Sequence, residues 1–176
     1  TVETVSACGV VTKVILPDRS VVWLNSNSTI TYPRHFTGKR RDVTLSGEAY
    51  FKVTAHRDRQ FTVHTPEQVA ISAYGTEFNV LAYKHDSRIE ATLNKGHIEV
   101  VTPNHQLARL KVGQTAVYDN DSRQLQVNAV DLWEKTGWRE GKIIFRRTNI
   151  RDIAITLSRH YNVEFIIKGR DVNDYV

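Results

Sequence analysis

Apolar and polar positions alternate with a period of two through most of the chain, most clearly in VTLSGEAYFKV, from Val43 to Val53. Val43 and Leu45 alternate with Thr44 and Ser46, Gly47 interrupts, and Ala49, Phe51 and Val53 then alternate with Glu48, Tyr50 and Lys52. Successive side chains leave a strand on opposite faces, so this period marks a half-buried strand. A glycine in mid-strand lets the backbone bend without a Cβ penalty. The stretch predicts two strand segments bent at one residue.

Shorter pieces of the same pattern predict the rest of the first part. Val14 and Leu16 lead into Pro17, Asp18, Arg19 and Ser20, whose types suit a turn, before Val22 and Leu24 return in a second strand. Asn25 to Ser28 is a further turn, Ile30 and Tyr32 are extended, and Pro33 ends that strand because it lacks a donor. GKRRD, Gly38 to Asp42, is a polar basic connection. FTVHT, Val69 with Ile71, and Gly75 to Tyr83 follow as strands. A hairpin with Asn94, Lys95 and Gly96 in its turn comes next, then Leu107 to Val112, Gln114 to Tyr118, and Leu125 with Val127. This makes about eleven strands with almost no helical period.

Gly47, Gly75, Gly96 and Gly113 each precede an extended segment: GEAYFKV, GTEFNV, GHIEV and GQTAV. Their spacings of 28, 21 and 17 residues are not a formal repeat, but they predict strands stacked through similar glycine corners. The fold class is mainly β: a stacked or twisted solenoid-like or sandwich-like domain over residues 1–131. Leu45, Gly47, Glu48, Tyr50, Phe51, Gly75, Thr76, Phe78 and Gly113 are its structural motif positions.

The pattern changes at VDLWEKTGW, Val130 to Trp138, where two Trp in six residues predict a helical or irregular linker over 132–140. Residues 141–176 then read as strand, helix, strand. Asn149 is a good N-cap with Asp152 three residues on, and Ile150, Ile153, Ala154, Leu157 and Tyr161 form one apolar stripe. Lys142 to Arg146 and Val163, Phe165 and Ile167 are the flanking strands. This partial α+β (βαβ) unit cannot bury its stripe alone, so it must pack on the β domain, on a second copy or on further residues.

Composition adds few constraints. The 176 residues fit one domain, or one and a fragment of another, and 40% hydrophobic with 24% charged residues is ordinary for a globular chain. Lys and Arg outnumber Asp and Glu by 15 to 13 up to Asp131 and by 9 to 6 beyond it, so the net +5 is spread out. Scattered basic residues predict a solvated surface and no nucleic-acid partner. Cys8 is the single cysteine, which rules out an internal disulfide. A start at Thr1 and the absence of Met predict a piece of something longer, and no apolar run approaches the ~20 residues of a membrane span.

Chemistry is equally sparse. The seven His, at 35, 56, 64, 85, 97, 105 and 160, share no zinc spacing, and neither a nucleophile elbow nor a phosphate loop occurs. Asp119 to Ser122 suits a hairpin turn better than half a calcium loop. Glu48 and Glu77 could be imagined as a glycosidase pair, but each lies beside a glycine corner. The expectation is no catalytic residue, no metal, no cofactor and no enzyme activity. Trp23, Tyr32, Tyr50 and Tyr83 could be cross-strand pairs or sugar platforms, so a carbohydrate-binding module is the alternative function.

LPDRSVVWLNSNSTITYP, VTLSGEAYFKV, GTEFNV and LKVGQTAVYD, in that order, resemble the FecR family of transmembrane sensors and anti-sigma factors of the Bacteroidetes type. The turn LPDR, with Arg19, departs from the LPDG of that family, and the part around Ala7, Cys8 and Gly9 matches poorly. The tail is similar to the start of the family's C-terminal domain, which is like the short N-terminal domain of secretins and TonB-dependent transducers.

The resemblance implies a single-pass inner-membrane protein with this region in the periplasm. A cytoplasmic segment not in this chain would bind an extracytoplasmic-function sigma factor. The partner here would be the periplasmic signalling domain of a TonB-dependent outer-membrane transporter. Trp133, Trp138, Lys142, Ile144 and Arg146 are the expected partner-binding residues, with edge pairing by the Lys142 to Arg146 strand as the docking mode.

Overall fold

The computed structural model describes residues 1–168, and the closing DVNDYV stretch lies outside them. Thirteen strands precede a short helical linker and one longer helix. The strands are β1 (Val2–Val5), β2 (Thr12–Ile15), β3 (Val21–Leu24), β4 (Thr29–Tyr32), β5 (Arg40–Lys52), β6 (Gln60–His64) and β7 (Ala70–Ala73). They continue with β8 (Glu77–Ala82), β9 (Arg88–Lys95), β10 (Ile98–Val101), β11 (Leu107–Leu110), β12 (Gln114–Asp119) and β13 (Leu125–Ala129).

They form two facing layers that share β5. One runs β1-β4-β5-β6-β7-β10-β11, the other β2-β3-β5-β8-β9-β12-β13. The first half of β5 pairs in parallel with β6, Arg40 opposite Gln60 to Thr44 opposite His64. Its second half pairs antiparallel with β8, Gly47 opposite Ala82 to Lys52 opposite Glu77. The strand therefore changes layers at Gly47, as its broken alternation predicts. Gly47 has φ +118°, and a Cβ there would lie 2.6 Å from the Ser28 Cα, so the crossing tolerates no side chain.

Successive hairpins alternate between the layers: β6 and β7 in the first, β8 and β9 in the second, β10 and β11 in the first, β12 and β13 in the second. Gly75, Gly96 and Gly113 stand where the chain passes from one layer to the other, as Gly47 does. The glycine corners are thus layer crossings. Gly75 is needed for proximity rather than for positive φ, since its Cβ would sit 2.7 Å from the Ala55 Cα. Thr76 donates its hydroxyl to the His97 carbonyl (3.1 Å), and Val53 N donates to Thr76 O (2.9 Å), which joins neighbouring crossings into a column.

The inward faces make one core. Phe51 stacks on Phe78 at 5.0 Å and meets Phe61 of the other layer at 6.0 Å, among fully buried Leu24, Ile30, Leu45, Ile71 and Leu93. At the far end Gln106 accepts from Leu125 N (2.7 Å) and donates to the Arg123 carbonyl (3.2 Å), lacing the layers together. A charge enters the interior. Arg41, 1% exposed, donates to Asp18 Oδ2 (2.7 Å) and to the carbonyls of Thr54 and Arg59, so each of its three guanidinium nitrogens has a partner. Asp18 also accepts from Ser20 N and Oγ, which fixes the LPDR turn.

Two expectations need correction, and one strand carries no signal in the pattern. Strand β1, VETV, escapes the pattern because it is a four-residue edge strand with no buried side chain. Lys142 to Arg146 is not a strand and joins no sheet, and neither does the segment carrying Val163, Phe165 and Ile167. A strand forms only where a neighbour supplies its backbone partners, and among the described residues none lies beside these two. Of the predicted strand, helix, strand unit, the described residues contain the helix, α2 (Ile150–Tyr161), capped by Asn149 Oδ1 accepting from Asp152 N at 2.9 Å.

Candidate interaction site

The outer face of the second layer is polar and aromatic. Trp23 of β3 lies opposite Tyr50 of β5, ring centroids 5.9 Å apart and edge to face. Beside them Glu48, Asn79, Glu90 and Thr92 point outward from β5, β8 and β9, because each alternates with a core residue such as Ala49, Val80 or Ala91. Glu48 accepts from Asn25 Nδ2 (2.8 Å) and Asn79 Nδ2 (2.9 Å), and among the described residues no cation pairs with it. Burial pushes its carboxyl up to about 6; the two amides oppose that rise, and the charge of Glu90 adds to it. Glu90 is 6% exposed and is neutralised by Lys135 Nζ (2.7 Å) and Arg88 Nε (2.8 Å).

The linker closes over this face. It comprises α1 (Leu132–Thr136), capped by Asp131 Oδ1 accepting from Trp133 N, and a 3-10 turn (Gly137–Glu140). Trp138 is 7% exposed and donates Nε1 to Asn79 Oδ1 (3.3 Å). The Arg139 guanidinium lies 3.6 Å from the Tyr50 ring centroid and 5.7 Å from that of Trp23, while Lys13 stands over Trp23 at 5.7 Å. Cations thus occupy the faces that a sugar would stack on. Burial raises the Tyr50 and Tyr83 hydroxyls well above their usual range, so both stay protonated and hydrogen-bonded, to Glu77 and to the Ser26 carbonyl.

Helix α2 meets the same face through charge. Asp152 accepts from Arg88 (2.9 Å), Arg159 makes a two-pronged pair with Asp86, and its guanidinium lies 3.8 Å from the Tyr83 ring centroid. Cys8 Sγ donates to the Arg159 carbonyl at 3.0 Å. A cavity of about 400 Å³ lies between sheet and tail, with Glu48, Glu90, Trp138, Phe145 and Asp152 in its wall. No α2 side chain is fully buried: Ile150, Ile155 and Tyr161 are exposed, as are Phe165 and Ile166 beyond it.

The residues expected to bind a partner scatter across this region. Trp138 is committed to Asn79 and the sheet and offers no free surface. Trp133 is 49% exposed with Lys142 over its ring at 4.9 Å. Ile144 is half-buried near Gly137, and Arg146 pairs with Asp131 at 2.9 Å. Sequence reasoning missed Asp86, Arg88, Glu90, Lys135, Arg139 and Arg159. The Asp86 to Arg159 pair spans 73 positions, and no local pattern signals it.

Residues 3–99, more than half of the length, match the family described as FecR protein. The chain belongs to the FecR family. Residues 142–176 match the FecR C-terminal family. Two crystal structures of a candidate anti-sigma factor from Parabacteroides distasonis are similar. One is 30% identical with a TM-score of 0.94, covering 100% of this chain and 82% of that one. The other is 31% identical with a TM-score of 0.87, covering 92% and 75%. No curated protein matches. FecR membership and these neighbours support an anti-sigma factor role, a regulatory and non-enzymatic kind of function. The family comprises membrane-anchored sensors with a periplasmic region; among the described residues no helix is long and apolar enough to cross a membrane.

Proposed function

We propose that this FecR-family chain is the periplasmic signal-receiving region of a membrane-anchored anti-sigma factor. It would relay ligand occupancy of a TonB-dependent outer-membrane transporter to an extracytoplasmic-function sigma factor bound elsewhere in the protein. The observation that carries the reading is the ordered pair of FecR and FecR C-terminal matches on one chain. The β layers serve as a scaffold, and the receiving surface is the tail: Trp133, Lys142, Ile144 and Arg146 with the apolar stripe of α2. At its two ends Ile150 and Tyr161 are exposed, and with Trp133 they leave apolar surface in water, which supports an interaction surface. Direct carbohydrate binding is disfavoured because Arg139 and Lys13 cover Trp23 and Tyr50.

A transcriptional reporter for the cognate sigma factor tests this in cells carrying the full-length protein. Trp133→Ala combined with Ile150→Asp should leave the protein at its normal level and abolish induction by the transporter's ligand. Undiminished induction would contradict the assignment of the receiving surface to the tail.

A further inference from the structure

Two ends of the tail are held in different ways. The linker end is seated by packing: Trp138 is buried, Thr136 is 6% exposed, and the Arg139 guanidinium lies over Tyr50, 3.6 Å from its ring centroid. The helix end is held by charge, through Arg88 with Asp152 and Arg159 with Asp86, and no α2 side chain is fully buried against the sheet. Beneath the tail lies the cavity of about 400 Å³, so the sheet and tail surfaces are not in continuous contact. Between the two ends stands Gly141 at φ +73°, where an added Cβ would meet nothing within 4 Å. It ends the 3-10 turn, so rotation there would move α2 without disturbing Trp138.

We infer that residues 142–168 form a strap, hinged at Gly141 and latched by ion pairs, Asp86–Arg159 and Arg88–Asp152 onto the second β layer and Arg146–Asp131 onto the linker. The inference does not depend on which partner the protein receives. Its logic is that packed surfaces are released only by breaking apolar burial, whereas ion pairs are weakened by competing charge or salt. The linker stays seated when the strap lifts, because Lys135, Trp138 and Arg139 bind the sheet on the near side of the hinge. Lifting would uncover Arg88, Asp86 and Glu48 on the sheet and Asp152, Arg159 and His160 on the strap. Regulation through the strap then takes the form of a partner that supplies competing charge.

The single thiol reports the latch. Cys8 Sγ is bonded to the Arg159 carbonyl, and Gly9 stands against the carbonyl of His160, so the strap shields Cys8 when closed. In the whole chain, the rate of thiol modification by an aromatic disulfide reagent is measured in 0.05 and in 1 M NaCl, with small-angle scattering in parallel. Screening at 1 M reduces the Debye length to ~3 Å, and modification is expected to accelerate by about threefold or more with a rise in radius of gyration. Asp86→Asn at low salt should do the same, while Glu99→Gln, which breaks the exposed pair with Arg109, should change neither reading. A rate indifferent to salt and to Asp86→Asn overturns the latch. So does acceleration without expansion, which would place the motion in the 6–11 loop.

Discussion

At the scale of the residue, Glu48 is the chain's most informative side chain. The alternation of β5 puts it on the outer face, where it lines the cavity under the tail, half-buried and bonded to two asparagine amides. A carboxyl raised from 4.5 to about 6 in the folded state holds its proton more tightly there than in the unfolded chain. Its favourable contribution is therefore complete below pH 4.5 and is lost as pH rises through 6, a change of up to about 2 kcal/mol. Glu48→Gln should flatten the stability profile between these limits, as measured by urea unfolding at several pH values. Its gain at neutral pH should be smaller than that loss, because one amide loses an acceptor. An unchanged profile would mean that Glu48 is solvated. Arg19 shows the opposite case, a residue whose oddness is visible in sequence: the LPDR turn puts it at φ +67°, where the family's glycine is at ease.

At the scale of the element, β5 and its glycines organise the molecule. A strand that serves two layers must rotate its pairing partners part-way along, and Gly47 is where Ser28 comes too close for any Cβ. Gly47→Ala should lower stability by about 3 kcal/mol or more by thermal or denaturant unfolding, combining disfavoured φ with overlap against a backbone atom. A loss under about 1 kcal/mol would show that the crossing relaxes easily. The break in alternation made this element legible, as Asn149 and its stripe made α2 legible. The flanking strands around α2 were misread for a definite reason. Lys142 to Arg146 has a strand's composition, but β-propensity records fit to a pleated surface, and the described residues supply none beside it.

At the scale of the whole molecule, hydrophobic period revealed a mainly β fold and the four layer crossings, but not which strands share a layer. That assignment depends on pairings between distant segments such as β5 with β8 and β7 with β10, which local patterns do not encode. The candidate site was half legible. Trp133 and Trp138 announced a packed linker, yet the cations that fix the tail are ordinary surface residues until the fold brings Arg159 to Asp86 and Lys135 to Glu90. Of the apolar stripe of α2, Ile150 and Tyr161 are exposed and Ile153, Ala154 and Leu157 are half-buried.

Titration against the transporter tests whether the tail receives it. The chain is titrated calorimetrically with the periplasmic signalling domain of its cognate transporter. Binding at tens of micromolar or tighter is expected, weakened at least tenfold, about 1.4 kcal/mol, by Leu157→Asp. Two folded proteins that give no heat at about 100 micromolar, or a Leu157→Asp variant that binds undiminished, would contradict it.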